Sequence, residues 1–80
     1  MNIQSLDLRE TMLTDACLKD LASLKQLRSL SLAATKVTDA GLKHLARLKR
    51  LQSLNLRDTK VTDEGKDVLQ KALPKLGILR

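Results

Sequence analysis

One pattern is repeated three times along the chain at a fixed period of 24 residues. Ile3, Leu27 and Leu51 occupy equivalent positions, and the apolar residues that follow each of them fall into register. The stretch TKVTDAGLKHLA, which begins at Thr35, returns as TKVTDEGKDVLQ at Thr59. A fixed period of this size indicates a solenoid, in which each copy buries its apolar side chains only against its neighbours.

Each copy begins with a strand pattern and continues with a helix pattern. The segments that start at Ser5, Ser29 and Ser53 alternate polar and apolar residues, which predicts short strands with one buried face. Farther along each copy, apolar residues recur three or four positions apart, which predicts a helix. A period of 24 residues leaves room for the connection between two parallel strands. The chain of 80 residues therefore predicts a single α/β domain.

A Thr-Asp pair precedes every predicted helix. The threonine can cap the helix by accepting a backbone hydrogen bond, and the aspartate lies in the first turn, where the helix dipole favours a carboxylate. Because the pair recurs in every copy, we interpret it as scaffold rather than as a catalytic motif. The pairs are Thr14-Asp15, Thr38-Asp39 and Thr62-Asp63.

The pattern L-x-x-L-x-L-x-x-T-x-V-T-D-x-G-L resembles a leucine-rich repeat over essentially the whole chain. It is most similar to the 24-residue bacterial "TDAGL" subclass, which is related to the ribonuclease-inhibitor type. Most leucine-rich repeats have Asn where this chain has Thr11, Thr35 and Thr59. The resemblance implies a short right-handed α/β solenoid, with parallel strands on the concave face and helices on the convex face. We divide the domain 1–80 into repeats 3–26, 27–50 and 51–75 and a partial fourth strand at 76–80.

The two ends of the predicted solenoid differ. In the third copy Lys66 replaces Leu42 of the second, and the apolar face shifts before Pro74 stops the helix. The residues of this shifted face are Val68, Leu69, Ala72 and Leu73. At the N-terminal side the apolar residues begin at once, which predicts an edge covered by a second copy of the chain or by preceding repeats of a longer parent. The residues of this self-association edge are Ile3, Leu6, Leu8, Leu18 and Leu21.

The resemblance places a protein partner on the concave face. Residues that alternate outward along the strands form small, polar columns, and arginine is the only type among them that often dominates an interface. We therefore expect Arg9, Arg28 and Arg57 to be the anchors. The complete predicted surface consists of Ser5, Asp7, Arg9, Arg28, Ser29, Ser31, Ser53, Asn55 and Arg57.

The positive charge of the chain is concentrated in its middle. The net charge is −1 for residues 1–26, +5 for residues 27–50 and +2 for residues 51–80. Lys43, Arg47 and Arg50 are spaced for the outer face of the second helix, read as residues 42–50, and Lys49 joins them as a possible anion patch. The chain has no aromatic residue to stack on a base, so nucleic acid is an unlikely partner. A solvated face that keeps the protein soluble explains the same residues.

No group of residues in the sequence predicts catalysis or a cofactor. His44 with Asp39 lacks any counterpart in the other copies, and Asp7 with Glu10 is accompanied by no insertion that could form a pocket. One cysteine and one histidine are too few for a zinc site, so we expect no metal. Cys17 replaces the glycine of the other copies, and is either a small packed residue or a reactive or interchain-bridging thiol.

These observations predict a non-enzymatic protein–protein interaction module that binds through its concave face and self-associates through its N-terminal edge. The alternative is a purely structural or self-assembling minimal or designed solenoid. A weaker alternative is binding of nucleic acid or an acidic protein through the basic second helix. The absence of a secretory signal and of a long apolar run predicts a cytoplasmic protein that does not enter a membrane.

Overall fold

The computed structural model describes residues 3–80, and Met1 and Asn2 lie outside the described part. Strands and helices alternate throughout, and all the strands belong to one parallel sheet with the order β1-β2-β3-β4. The strands are β1 (Ser5–Asp7), β2 (Ser29–Ser31), β3 (Ser53–Asn55) and β4 (Gly77–Leu79). The helices are α1 (Asp15–Leu21), α2 (Asp39–Leu45) and α3 (Asp63–Ala72). This architecture confirms the predicted α/β solenoid.

The register of the sheet aligns equivalent positions of successive copies. Ser5 pairs with Ser29, Ser29 with Ser53, and Ser53 with Gly77. The next position forms an inward column in which Leu30 is 3% exposed and Leu54 is fully buried. Because side chains alternate along a strand, this register separates a continuous leucine core from a continuous polar face.

Within residues 3–80, the core contains only aliphatic side chains and one buried threonine. Its fully buried members are Leu18, Leu27, Leu32, Val37, Leu45, Leu48, Leu54, Leu56 and Leu69. Buried Thr35 donates its hydroxyl hydrogen bond to the Leu32 carbonyl oxygen at 2.7 Å. The threonines at 11 and 59 make the same bond in their own copies. A threonine hydroxyl therefore closes each turn after the strand, at the place where most leucine-rich repeats have Asn.

The helix starts are joined across copies by contacts that we call the Asp-Thr clamps. The Asp15 carboxylate accepts hydrogen bonds from the Thr38 backbone N, at 2.8 Å, and from the Thr38 hydroxyl. Asp39 makes the same two contacts with Thr62. Each of these aspartates therefore reaches forward to the helix start of the next copy, in addition to lying in its own first turn.

The prediction that all three threonines cap their helices is wrong for Thr14. The hydroxyl of Thr38 accepts a bond from the Ala40 backbone N at 3.3 Å, and that of Thr62 accepts one from the Gly65 backbone N at 3.2 Å. Thr14 has the extended backbone of a cap residue but makes no side-chain cap bond. The two capping hydroxyls are each oriented by a clamp carboxylate, and no clamp reaches Thr14 within residues 3–80.

The clamps also explain the glycines near the helix starts. A Cβ at Gly41 would collide with the Asp15 carboxylate and the Leu18 side chain, and one at Gly65 would collide with Asp39. Cys17 occupies the equivalent position in α1 and is exposed. The interpretation of Cys17 as a packed small residue is therefore wrong, because no element among the described residues packs against it.

The end of the third copy differs from the prediction in one respect. Leu69 and Leu73 are buried, but Val68 is 69% exposed and Ala72 is exposed, so these two do not belong to the buried face. Leu69 is equivalent to the fully buried Leu45, so α3 keeps the register of α2 and turns Val68 outward. The apolar face therefore keeps its register at Leu69 and shifts by one residue beyond it, because Leu73 is buried and Ala72 exposed, whereas the equivalent Lys49 is exposed and Leu48 buried.

Candidate partner-binding surfaces

The concave face carries one ion pair and one free arginine. Asp7 accepts hydrogen bonds from the Arg9 backbone N at 3.1 Å and from Arg9 Nε at 2.9 Å. These bonds hold the pKa of the Asp7 carboxyl below its ordinary value and raise the pKa of Arg9. On β3, Asn55 Oδ1 accepts only the Arg57 backbone N, at 3.0 Å. Arg57 forms no ion pair with any described residue, so its charge is available to a partner.

Small residues form the floor between these two arginines. Ser29, Ser31 and Ala33 are half-buried in the middle of the sheet. The Ser31 hydroxyl oxygen is buried and has no hydrogen-bond partner among residues 3–80. Because neighbouring strands lie about 4.8 Å apart, Arg9 and Arg57 stand roughly 10 Å apart on either side of this floor. We call this row of small side chains between the two arginines the notch; Arg9 is paired with Asp7 there, and Arg57 has no ion-pair partner among the described residues.

Arg28 lies apart from this notch, in a pocket at the edge of the sheet where the strands begin. Its carbonyl oxygen accepts hydrogen bonds from the backbone N atoms of Gln52, at 2.7 Å, and Ser53, at 3.0 Å. The pocket has a volume of about 550 Å³ and we call it the basic pocket. It is lined by Arg28, Lys49, Arg50, Leu51, Gln52 and Lys75.

The prediction of a basic helical face over residues 42–50 is wrong. The helix α2 ends at Leu45, so Arg47, Lys49 and Arg50 follow it in the turn that leads to β3. Lys43 instead lines a groove of about 360 Å³ between α2 and α3, beside Val68. Lys49 and Arg50 therefore lie with Arg28 rather than with Lys43.

The predicted self-association edge is partly exposed, with one exception. Ile3, Leu6, Leu8 and Leu21 are half-buried against the core. Leu18 is fully buried because its side chain packs against α2 beside Gly41, so it does not belong to the edge. Met12, which is 75% exposed, is absent from the predicted edge. The signal for its exposure in the sequence is the lysine that stands at the equivalent positions 36 and 60.

The remaining candidate groups in the described part of the chain stay separate from one another. His44 is half-exposed on α2, and Glu10 is exposed in a turn with a left-handed backbone, φ 60°. Over residues 3–80, no three His, Cys, Asp or Glu side chains come together as a metal site would require. None of the helices in this range is long and apolar enough to cross a membrane.

Comparison with known proteins supports the fold. A leucine-rich-repeat family model matches residues 49–66. A structure of Mex67:Mtr2 subunits from Chaetomium is similar over 96% of this chain and 53% of its own, with a TM-score of 0.79 and 24% identity. A leucine-rich-repeat protein of Leptospira interrogans is similar over 95% of this chain and 25% of its own, with a TM-score of 0.67 and 25% identity. No curated protein matches the sequence.

The fold and these matches define a short leucine-rich-repeat solenoid. The chain spans about half the length of the first structure and a quarter of the second. The family match and the structural match support the assignment of the chain as a leucine-rich-repeat protein. Proteins of this class are scaffolds that generally bind other proteins and are generally non-enzymatic. The bacterial "TDAGL" subclass stays a prediction.

Proposed function

We propose that the chain is a non-enzymatic, cytoplasmic protein–protein interaction module that binds its partner through the concave strand face. The observation that carries the proposal is the notch between Arg9 and Arg57. Its floor of small residues admits partner side chains, and arginine is among the residue types that most often anchor interfaces.

The electrostatics of the notch favour an acidic group in the partner. Arg9 is already bound to Asp7, whereas Arg57 forms no ion pair among the described residues. A carboxylate placed beside Arg57 would gain a charge-assisted, two-pronged hydrogen bond without breaking an existing one. We therefore expect Arg57 to contribute more to binding than Arg9.

The test compares two charge reversals at nearby exposed positions. Arg57→Glu reverses the charge in the notch. Lys60→Glu reverses the charge from +1 to −1 in the turn that follows Arg57. Proteins captured from a lysate are identified by quantitative mass spectrometry, and the binding of each purified candidate is then measured by calorimetry. We expect Arg57→Glu to weaken the affinity for a specific partner by about tenfold or more, and Lys60→Glu to change this affinity by less than about threefold. Equal losses in both variants, or no loss in either, would contradict the proposal.

A second candidate function is self-association through the N-terminal edge. Exposed Cys17 and the half-buried Leu6 and Leu8 favour it, and exposed Met12 adds apolar surface to the same copy. The variant Met12→Lys installs the residue found at the equivalent positions, so it removes apolar surface with little risk to the fold. Light scattering in reducing buffer should show a dimer that Met12→Lys dissociates. A wild-type protein that stays monomeric at high micromolar concentration would exclude this function.

A further inference from the structure

The net positive charge of the molecule is concentrated at one edge of the solenoid. The segments 22–28, 46–52 and 73–76 connect each helix end to the next strand, and they contain six lysines and arginines and no acidic residue. The acidic residues lie in the strands, in the turns after them and in the helices. Since successive copies stack in register, the three basic segments form adjacent layers of the same edge.

The basic pocket is the concave part of this edge. Arg28 comes from the first of these segments, Lys49 and Arg50 from the second, and Lys75 from the third. The pocket thus brings four cations together with no carboxylate among its lining residues. All four side chains are exposed, and the two ion pairs found in residues 3–80 involve none of them.

One of these cations is held in place. Arg50 Nη1 donates a hydrogen bond to Gln26 Oε1 at 2.8 Å, which fixes one side of its guanidinium group against the first copy. The floor of the pocket is Leu51, which is 4% exposed and belongs to the core. An arginine that already makes a side-chain hydrogen bond loses less conformational freedom on binding an anion than an unbonded surface arginine does.

We propose that the basic pocket binds a compact ligand that carries at least two phosphate groups. Like charges gathered in one concave space repel each other, and a multivalent anion relieves that repulsion. A phosphate monoester contributes about −1.5 to −2 charge at neutral pH, so two of them balance the four cations in a small volume. The volume of about 550 Å³ lies within the range of small-molecule sites, roughly 300–1,000 Å³.

The same features make other anions less suitable. An acidic peptide would have to place about four carboxylates side by side in the pocket to supply the charge of two phosphates. A nucleic acid strand would gain phosphate contacts but no stacking, because the chain contains no aromatic residue. Guanidinium groups match phosphate oxygens in pairs, which favours phosphate over a singly contacted anion.

Titration with inorganic tripolyphosphate tests the proposal in solution. The change in the backbone amide signals on adding tripolyphosphate should concentrate at Arg28, at residues 49–52 and at Lys75. Calorimetry should show binding that weakens as salt is added, since exposed cations are screened. Signal changes spread over all basic residues, with no maximum at the pocket, would overturn the proposal.

A pair of charge-matched variants separates the pocket from net charge. Lys49→Gln with Lys75→Gln removes two lysines of the pocket, and Lys36→Gln with Lys60→Gln removes two exposed lysines from the turns after the strands. We expect the first variant to weaken tripolyphosphate binding by about tenfold or more and the second by less than about threefold. Equal weakening in the two variants would overturn the proposal, because net charge alone would then explain the binding.

Two further ligands identify the source of the phosphate groups. Vesicles of phosphatidylcholine with a phosphatidylinositol bisphosphate, but not with phosphatidylserine, should bind the wild type and release it on adding tripolyphosphate if the source is a lipid headgroup. Tripolyphosphate binding without vesicle binding points to a soluble ligand, and either result supports the site. Tighter binding of a short oligouridylate than of tripolyphosphate would overturn the proposal in favour of a nucleic acid backbone.

Discussion

The two ends of the described solenoid differ in how far the chain itself closes them. At the C-terminal end, β4 covers β3, and Arg80 donates from Nε to the Val61 carbonyl oxygen at 3.1 Å and from Nη1 to the Asp63 carboxylate. At the N-terminal end of residues 3–80, Thr14 makes no cap bond and Cys17 is exposed. One end is therefore satisfied by the chain itself, and the other presents unpaired groups and apolar surface.

The direction of the Asp-Thr clamps explains this difference. Each clamp runs from the aspartate of one copy to the threonine of the next, so the last copy holds an unused acceptor and the first an unused donor. Arg80 supplies a donor to Asp63, in the place that the threonine of a further copy would take. The Thr14 hydroxyl and backbone N would need a hydrogen-bond acceptor in the same way, and none of the described residues provides one.

The same direction opposes head-to-tail stacking of two molecules. A second molecule adding its C-terminal edge to the N-terminal edge would bring Asp63 toward Thr14. The Cβ of Cys17 stands where the clamp needs a glycine, and Arg80 already occupies Asp63. Self-association through the N-terminal edge is therefore expected to join two N-terminal edges rather than to extend the solenoid.

The largest difference between end and interior is expected in the inward leucine column. Leu54→Ala removes a fully buried side chain and should lower the free energy of unfolding by about 2–5 kcal/mol. Leu6→Ala removes the equivalent, half-buried side chain at the N-terminal edge and should cost about 1–2 kcal/mol. Denaturant unfolding followed by far-ultraviolet circular dichroism measures both, since the chain has no Trp or Tyr for fluorescence. Equal losses of unfolding free energy in the two variants would show that the N-terminal edge is as well packed as the interior.

The second largest difference between the interior and the N-terminal edge is expected at the position of Gly65 and its equivalent, Cys17. Gly65→Ala places a methyl group against the Asp39 carboxylate and should destabilise the protein by about 1–3 kcal/mol, although alanine favours helices. Cys17→Ala, at the exposed equivalent in α1, should change the free energy of unfolding by less than about 0.5 kcal/mol. The same denaturation experiment applies, in reducing buffer. If Gly65→Ala left the free energy of unfolding unchanged, the clamp would be able to shift without destabilising the protein.

The sequence predicts the repeating parts of this structure and not the places where copies meet. Alternation and the 24-residue period identify the strands and inward leucines such as Leu30 and Leu54, because each reports directly on burial. The clamp role of Asp39 could not be read, since an aspartate in a first helical turn is already explained by the helix dipole.

The basic pocket could not be read from the pattern either. Buried Leu48 continues the helical spacing of α2 although it lies beyond the helix end at Leu45, so the pattern extends the helix too far. The pattern therefore predicts that Arg50 shares a helical face with Lys43, whereas the turn carries it toward Arg28. A buried residue in a turn produces the same apolar spacing as one more turn of helix.

A smaller effect is expected from removing one clamp. Asp39→Asn weakens the bonds to the Thr62 backbone N and hydroxyl, and should cost about 1 kcal/mol because solvent reaches the carboxylate. These bonds, that of the hydroxyl first, hold the pKa of Asp39 below its ordinary value of 3.8. A lowered pKa in the folded state stabilises the protein above the unfolded-state pKa, and this stabilisation disappears as the pH falls through the folded-state pKa.

The pH dependence distinguishes the clamp from a general loss of packing. The difference in free energy of unfolding between wild type and Asp39→Asn should be full at neutral pH and should shrink below about pH 4. Asp67→Asn, which changes an exposed carboxylate beyond the first turn of α3, serves as the control and should show no such difference. A difference for Asp39→Asn that stays constant down to low pH would contradict the clamp's charged character.

The smallest effect is expected at the closed end. Arg80→Gln removes the guanidinium that binds Asp63 and the Val61 carbonyl oxygen, and should cost about 0.5 kcal/mol, because the Asp63 side chain is largely exposed. Part of this loss should disappear in high salt, since the pair with Asp63 is screened there. Lys71→Gln removes the same charge from the exposed side of α3 and should leave the stability unchanged. If Arg80→Gln is equally neutral, β4 alone closes this end, and the contrast with the N-terminal edge rests on strand pairing rather than on the clamps.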